Sequence, residues 1–353
     1  MEYQEEALPP VAAHGLLRRS LPFLRSVVQL ALAAGLLAGL LWRVDIAAVR
    51  DDLEGATLWW LPLAFVANLA SDWFRAIRWR EFFRPMQQVP VPFLFATAIL
   101  GVASNIALPL RAGEVIRVQV LRKRTGLSVS SIIATLLSEK LMDIVAFSTF
   151  VILGIALYEE ARFMWPLAVA YTAVLVAGVF GARWLARRSE EAPHLESQPE
   201  GRWRAWMATE LRSFGRGLQA FRSAGAMTTI VWASIVAWLC EAAMYWACGE
   251  ALGIDLPPAV YLLTVVAATI AVSIPITQAG LGVFELAITG LMVAFGISES
   301  QAAAFAIFSH VMLAVPYMAT GPLAAVALRL SLADILFLSG GEKPAEVPAS
   351  DGV

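Results

Sequence analysis

PFLFATAILGVASNIALPLRAGEVIRVQVLRKR, residues 92–124, decides how this chain meets its surroundings. The first half, Pro92–Leu108, is apolar and close to the length that crosses about 30 Å of hydrocarbon as a helix. The second half carries Arg111, Arg117, Arg122, Lys123 and Arg124. Basic residues collect on the cytoplasmic side of a membrane, and the preceding Arg75, Arg78, Arg80 and Arg84 already read as cytoplasmic. A single crossing puts the later basic segment outside. The conflict disappears if Pro92–Arg124 enters and leaves on the cytoplasmic side. Its turn then falls near Asn105–Gly113, where Asn, Pro and Gly interrupt the helix. Irregular backbone at that depth survives only where it lines a cavity or is buried in protein.

The rest of the chain agrees with a bilayer. Apolar residues are 59% of its 353 residues and charged residues 15%, and the mean hydropathy is +0.69. Soluble domains average about 45–50% apolar and about 25% charged. Continuous apolar runs exclude a barrel and leave helices as the spanning element. The expected fold is an all-α polytopic integral membrane protein with about six full transmembrane helices and two broken, re-entrant hairpins. The full spans are placed at Phe23–Trp42, Ala56–Trp73, Val129–Tyr158, Phe163–Trp184, Met227–Gly249 and Ala302–Leu328. The hairpins fall at 92–124 and 258–296, inside a transmembrane domain of residues 23–328.

Charge sets the orientation. Residues 1–22 read as a polar cytoplasmic N-terminus and an uncleaved start. Residues 329–353 read as a cytoplasmic tail, disordered at its end. The loop 187–225 reads as cytoplasmic, with an Arg/Trp-rich interfacial helix over Arg202–Phe221. Acidic turns at Asp45–Glu54, Glu159–Glu160 and Glu250–Asp255 read as external. The expected location is the inner, cytoplasmic cell membrane. A net charge of −2 gives no reason to expect nucleic acid. Cys240 and Cys248 share a helix, too far apart along it to bridge.

The two awkward stretches resemble each other. Pro92 and Pro109 bracket the first, and Pro258 and Pro275 bracket the second at the same spacing. Ala112–Gly113–Glu114 and Ala279–Gly280–Leu281 follow. Gly126–Leu127–Ser128 then opens a helix with Lys140, and Gly296–Ile297–Ser298 opens one with His310 at the same offset. An odd number of crossings between two such copies makes them inverted, a recurring transporter design.

Ionisable residues inside a membrane are expensive and point to function by default. The first cluster is Asn105, Arg111, Glu114, Arg117, Glu139, Lys140 and Asp143. Arg111 and Arg117 suit an anionic phosphate headgroup, because guanidinium pairs with phosphate oxygens. Glu114 and Glu139 balance those charges. Two readings of Glu139 and Lys140 stand: at depth, or merely solvated at the cytoplasmic interface. Arg122, Lys123 and Arg124 read as a topology-setting loop. The second cluster is Thr277, Gln278, Glu285 and His310, where His310 is either a packing residue or the counterpart of Lys140. No metal-ligand spacing, nucleotide loop or nucleophile elbow occurs, so no metal and no cofactor are expected.

Several of these stretches resemble one family. Arg75–Ala76–Ile77–Arg78–Trp79, the run Asn105–Arg117 and Ser138–Glu139–Lys140–Leu141–Met142–Asp143 look like the transmembrane domain of lysylphosphatidylglycerol synthases, the flippase-like family. Gln278–Ala279–Gly280–Leu281–Gly282–Val283–Phe284–Glu285 looks like that family's Pro-Gly-Gly-x-Gly-x-x-Glu region. The resemblance covers roughly Leu24–Leu328. It does not include the C-terminal aminoacyl-transferase domain that some members carry. It implies movement of lipids with modified or glycosylated headgroups between leaflets. Lys140 stands where Arg is usual, His310 where Arg is expected, and Gln278–Ala279 replaces a Pro-Gly-like pair.

The expected activity is a lipid translocator rather than an enzyme, with membrane lipid as its partner. Arg75, Arg78 and Trp79 are placed at the cytoplasmic interface. Two other classes remain: a membrane-embedded transferase acting on lipid, and a non-catalytic scaffold that docks a lipid-synthesis enzyme. The oligomeric state is open.

Overall fold

The computed structural model describes residues 27–108, 111–191, 220, 223–274 and 276–338. Every regular element among them is helical. In chain order these are α1 (Val27–Leu41), α2 (Ile46–Glu54), α3 (Leu61–Phe83), α4 (Val91–Ala107), α5 (Ala112–Thr125), α6 (Val129–Leu157) and α7 (Trp165–Glu191). After the loop come α8 (Ala224–Ala251), α9 (Pro258–Ser273), α10 (Val283–Ala294), α11 (Glu299–Ala327) and the short α12 (Leu332–Leu338).

Four segments are long and apolar enough to cross a membrane: α6, Glu159–Gly178 at the start of α7, α8 and α11. A fifth qualifies if α1 and α2, bent by 93° at Trp42–Asp45, count as one. Their outward faces are apolar. Ile152 and Leu153 on α6 and Val231, Trp232, Ile235 and Leu239 on α8 are exposed. Apolar surface of that extent has no place in water; the protein is a multi-pass membrane protein.

Two expectations differ from the structure. The loop expected between the first spans contains α2, capped by Asp45, whose carboxylate accepts from the Ala47 and Ala48 amides. The second span does not end at Trp73. α3 continues to Phe83, so Arg75, Arg78 and Arg80 lie on a helix and not in a loop. The hydropathy signal ends at Trp73 because charges begin there, but Arg75 and Arg78 are paired inside the protein. The expected interfacial helix over 202–221, the N-terminus 1–22 and the end of the tail lie outside the described residues.

Both expected hairpins are helix, break, helix. α4 ends at Leu108 in extended backbone and α5 begins behind Arg111, which is left-handed at φ 54°. Their packing is close. A Cβ on Gly113 would stand 1.8 Å from the Gly101 carbonyl oxygen, so only glycine fits there. α9 likewise ends in extended backbone at Ile274, and the chain reaches α10 through Ala279 at φ 53° and Gly282 at φ 82°.

The two segments run in parallel beyond the breaks. Helix lengths are 17, 14 and 29 residues for α4, α5 and α6, and 16, 12 and 29 for α9, α10 and α11. Left-handed Gly126 and Gly296 stop the second helix of each set. Ser128 and Ser298 cap the third, each accepting from an amide three residues on.

Candidate functional site: a cavity between two broken helices

The two breaks meet and cap each other. A helix C-terminus leaves carbonyls without intrahelical partners. Gln278 Nε2 donates across to the carbonyls of Asn105, Ile106 and Leu108, at 3.1, 3.2 and 2.8 Å. Arg111 returns the favour to α9, donating to the Ser273 carbonyl at 2.8 Å. Within the first break Asn105 Oδ1 accepts from the Gly113 amide at 2.9 Å. Asn105 and Gln278 therefore hold backbone as well as facing the space beside it.

That space is a cavity of about 440 Å³ walled by α3, α5, α6, α8, α11 and both breaks. Asn105, Arg111, Glu114, Arg117, Glu139, Lys140, Asp143, Gln278 and His310 all contribute to its wall. Glu285 stands one layer behind, reached through His310. Arg75, Arg78 and Trp79, expected at the interface, line the same cavity; Arg78 is only 1% exposed and Trp79 equally buried. Neutral pairing explains why a helix carries them inward.

Arg78 sits between two carboxylates of α6, donating to Asp143 Oδ1 at 2.9 Å and facing Glu139 Oε1 at 3.8 Å. It also donates to Ser234 Oγ at 3.2 Å. Arg117 joins α5 to α6, donating to Glu139 Oε2 at 3.1 Å, and meets Glu114 at 3.6 Å. Its guanidinium lies 4.4 Å from the centre of the Trp79 ring, whose Nε1 donates to Thr135 at 3.1 Å. Arg75 pairs with Glu241 of α8 and lies 4.0 Å over the Trp238 ring. Lys140 reaches Asp143 at 3.7 Å but its side chain is 63% exposed.

Two charged groups on the wall are incompletely paired, although the Asp72 carboxylate accepts a hydrogen bond from Tyr317. Arg111 has a neutral carbonyl as its hydrogen-bond partner and no carboxylate within ion-pair distance among the described residues. Asp72 Oδ2 is buried without a hydrogen-bond partner among them, as are the Tyr245 hydroxyl and Thr277 Oγ1. All of these line the cavity. The wall thus presents five cations (Arg75, Arg78, Arg111, Arg117, Lys140) against five carboxylates (Asp72, Glu114, Glu139, Asp143, Glu241). Such a surface suits a ligand carrying both an anion and hydrogen-bonding groups.

The second break ends on Glu285. Its Oε2 accepts from the Gly282 amide at 2.6 Å, so the side chain of the third helical residue caps the start of α10. Its Oε1 lies 2.7 Å from His310 Nδ1, and the imidazole stacks on Phe284 at 4.2 Å. Glu114 and Glu285 occupy the same place, third residue of the second helix after each break.

A family model described as the lysylphosphatidylglycerol synthase TM region matches residues 26–321. The chain belongs to this family. It is also similar to the glycosyltransferase AglD of Haloferax volcanii, 22% identical over an alignment of 301 residues that covers 75% of this chain and 48% of that protein. The chain spans about half the length of that relative. The matched region contains α1–α10 and the cavity.

Sequence reasoning missed Asp72, Glu241, Tyr245 and Tyr317, all on the cavity wall. A signal existed for two of them. Asp72 and Glu241 are single carboxylates inside otherwise apolar stretches. The two tyrosines carry no such mark, because a tyrosine in an apolar helix reads as packing.

Proposed function

We propose that this protein translocates a lipid between leaflets, with the headgroup passing through the cavity between the two breaks. The observation that carries the reading is Arg111. It is a guanidinium on the cavity wall, held by a carbonyl, and among the described residues no carboxylate lies within ion-pair distance of it. A lipid phosphate supplies the missing charge, with Arg117 as second donor after it is released from Glu114. Asp72, Tyr245 and Thr277 then meet the hydroxyl or amine end of the headgroup.

The breaks fit this task. Half-helices let polar backbone and charged side chains reach membrane depth while each remains satisfied. We read the two sets, α4–α6 and α9–α11, as an inverted repeat, and 92–124 and 258–296 as re-entrant. α3 counts as a full crossing in this reading, because its charges face the cavity and not lipid. Together with α1, α6, α7, α8 and α11 this makes six. The basic segments Arg80–Arg84 and Arg122–Arg124 place their ends, and both chain termini, on the cytoplasmic side of the cell membrane.

A relative named as a glycosyltransferase gives a second reading, a transferase acting on lipid. Most charges of the wall are held in ion pairs, and Arg111 keeps room for an anion, which favours transport. The same relative makes a glycosylated headgroup a cargo worth testing. Vesicles containing the purified chain and a headgroup-labelled phospholipid decide between the readings. Translocation predicts label exchange between leaflets faster than in protein-free vesicles, with the lipid chemically unchanged. A new lipid product formed from a sugar donor without leaflet exchange supports the transferase.

A further inference from the structure

The contacts of the Glu285–His310 pair need one proton more than a neutral imidazole supplies. His310 Nε2 lies 3.2 Å from the Ala279 carbonyl, which only accepts, so that contact needs a hydrogen on Nε2. His310 Nδ1 lies 2.7 Å from Glu285 Oε1. A nitrogen lone pair and a carboxylate oxygen repel at that distance unless a proton lies between them. The other carboxylate oxygen is already filled by the Gly282 amide. Both contacts are hydrogen bonds only when the pair carries one proton beyond a neutral imidazole beside a carboxylate, whether it is drawn on nitrogen or on oxygen.

We propose that Glu285 and His310 form a single proton-binding site on the cavity wall, whose occupancy sets the shape of the break between α9 and α10 and couples lipid movement to a proton gradient. The proton comes from water in the cavity and returns to water; only an N–H or O–H bond changes. Without it the imidazole has one hydrogen for two acceptors. Kept on Nε2, it leaves Nδ1 repelled by Glu285. Kept on Nδ1, it leaves Nε2 repelled by Ala279. Either way one contact opens: the N-terminus of α10, or the left-handed turn at Ala279. That turn adjoins Gln278, which caps α4 and so reaches the first break and Arg111.

The surroundings allow this. His310 lines the cavity and Glu285 is 3% exposed behind it. Charged groups share the wall with His310 from α3 (Asp72, Arg75), α8 (Glu241, beside Tyr245), α5 (Arg111, Glu114, Arg117) and α6 (Glu139, Lys140, Asp143). α1, α4 and α9 bring no acid or base to it, α10 brings only Glu285, and α11 adds Tyr317. α2 meets the other end of α11, where the Asp45 amide donates to Ser300. Among the described residues, the carboxylate within ion-pair distance of His310 is that of Glu285.

The coupling rests on the lipid-translocator reading; the proton site itself does not. The first measurement is nitrogen NMR of 15N-histidine full-length protein in phosphatidylglycerol vesicles, with the His310 signals identified by their loss in His310→Gln. A shared-proton signature at Nδ1 with Nε2 protonated is expected in the unmodified protein, and its loss in Glu285→Gln. A bare Nδ1 or Nε2 at every pH, unchanged in Glu285→Gln, overturns the site. The second measurement is the leaflet distribution of labelled lipid under a pH gradient at zero membrane potential. One proton per lipid gives a shift approaching about tenfold per pH unit. Exchange that ignores the gradient overturns the coupling. Absence of exchange in the unmodified protein overturns the translocator reading and the coupling with it, and leaves the NMR result to decide the proton site.

Discussion

Gln278 Nε2 lies 2.8 Å from the Leu108 carbonyl, so the end of one broken helix is capped from the break of the other. Removing that amide strands three carbonyls of α4. Leaving buried acceptors unpaired costs about 1–3 kcal/mol. Gln278→Leu is expected to lower thermal stability in detergent by that amount. Gln278→Glu is expected to lower it further, since a carboxylate would face carbonyl oxygens. Equal melting of Gln278→Leu and the unmodified protein would remove the cap from the account.

Arg78 and Asp143 form the most enclosed ion pair of the wall, at 2.9 Å with exposures of 1% and 7%. Breaking one partner of a buried pair costs about 3–5 kcal/mol, because the other charge stays behind. Arg78→Met and Asp143→Leu are each expected to destabilise strongly, and the double variant by much less than their sum. Additive effects in a double-mutant cycle would mean that Glu139 and Ser234, not Asp143, hold Arg78.

Much of this was legible from residues 92–124. The clash between an apolar run and a basic run forced a break, and the break is there. The shared helix–break–helix order of the two segments was legible in their proline spacing. α3 beyond Trp73 was not. Hydropathy rewards apolar side chains only, and it cannot tell an arginine in water from one paired with Glu139 and Asp143. Glu241 was missed for the complementary reason: its partner Arg75 lies 166 positions away, and only the packing of α3 on α8 joins them. Gln278 was singled out as facing a headgroup, whereas its amide holds the α4 carbonyls.

Gly113 fixes the depth of the first hairpin. Gly113→Ala drives a Cβ into the Gly101 carbonyl oxygen, 1.8 Å away, which is backbone and cannot turn aside. Loss of the folded protein from detergent extracts is expected. Gly290→Ala is the control, since nothing lies within 4 Å of its added carbon. Tolerance of both substitutions would require a looser α4–α5 pair than the structure has.

Lys140 tests the alternative that its helix end is merely solvated. Its side chain is 63% exposed and its bridge to Asp143 spans 3.7 Å. Exposed ion pairs contribute about 0–1 kcal/mol. Lys140→Ala is expected to leave the melting temperature within about two degrees of the unmodified protein. A loss as large as that of Arg78→Met would place Lys140 inside the paired network.

The central claim is that the headgroup passes Arg111 and Glu114 on its way between leaflets. Leaflet exchange of a labelled phospholipid, compared between the unmodified protein, Arg111→Ala and Glu114→Ala at equal reconstituted amounts, tests it most directly. Arg50→Ala serves as the control, because that ion pair is exposed on α2 and far from the cavity wall. A lost charge-assisted bond of about 1.5–3 kcal/mol predicts exchange roughly tenfold or more slower in Arg111→Ala, a clear decrease in Glu114→Ala, and no change in Arg50→Ala. Unchanged exchange in both Arg111→Ala and Glu114→Ala would contradict the account.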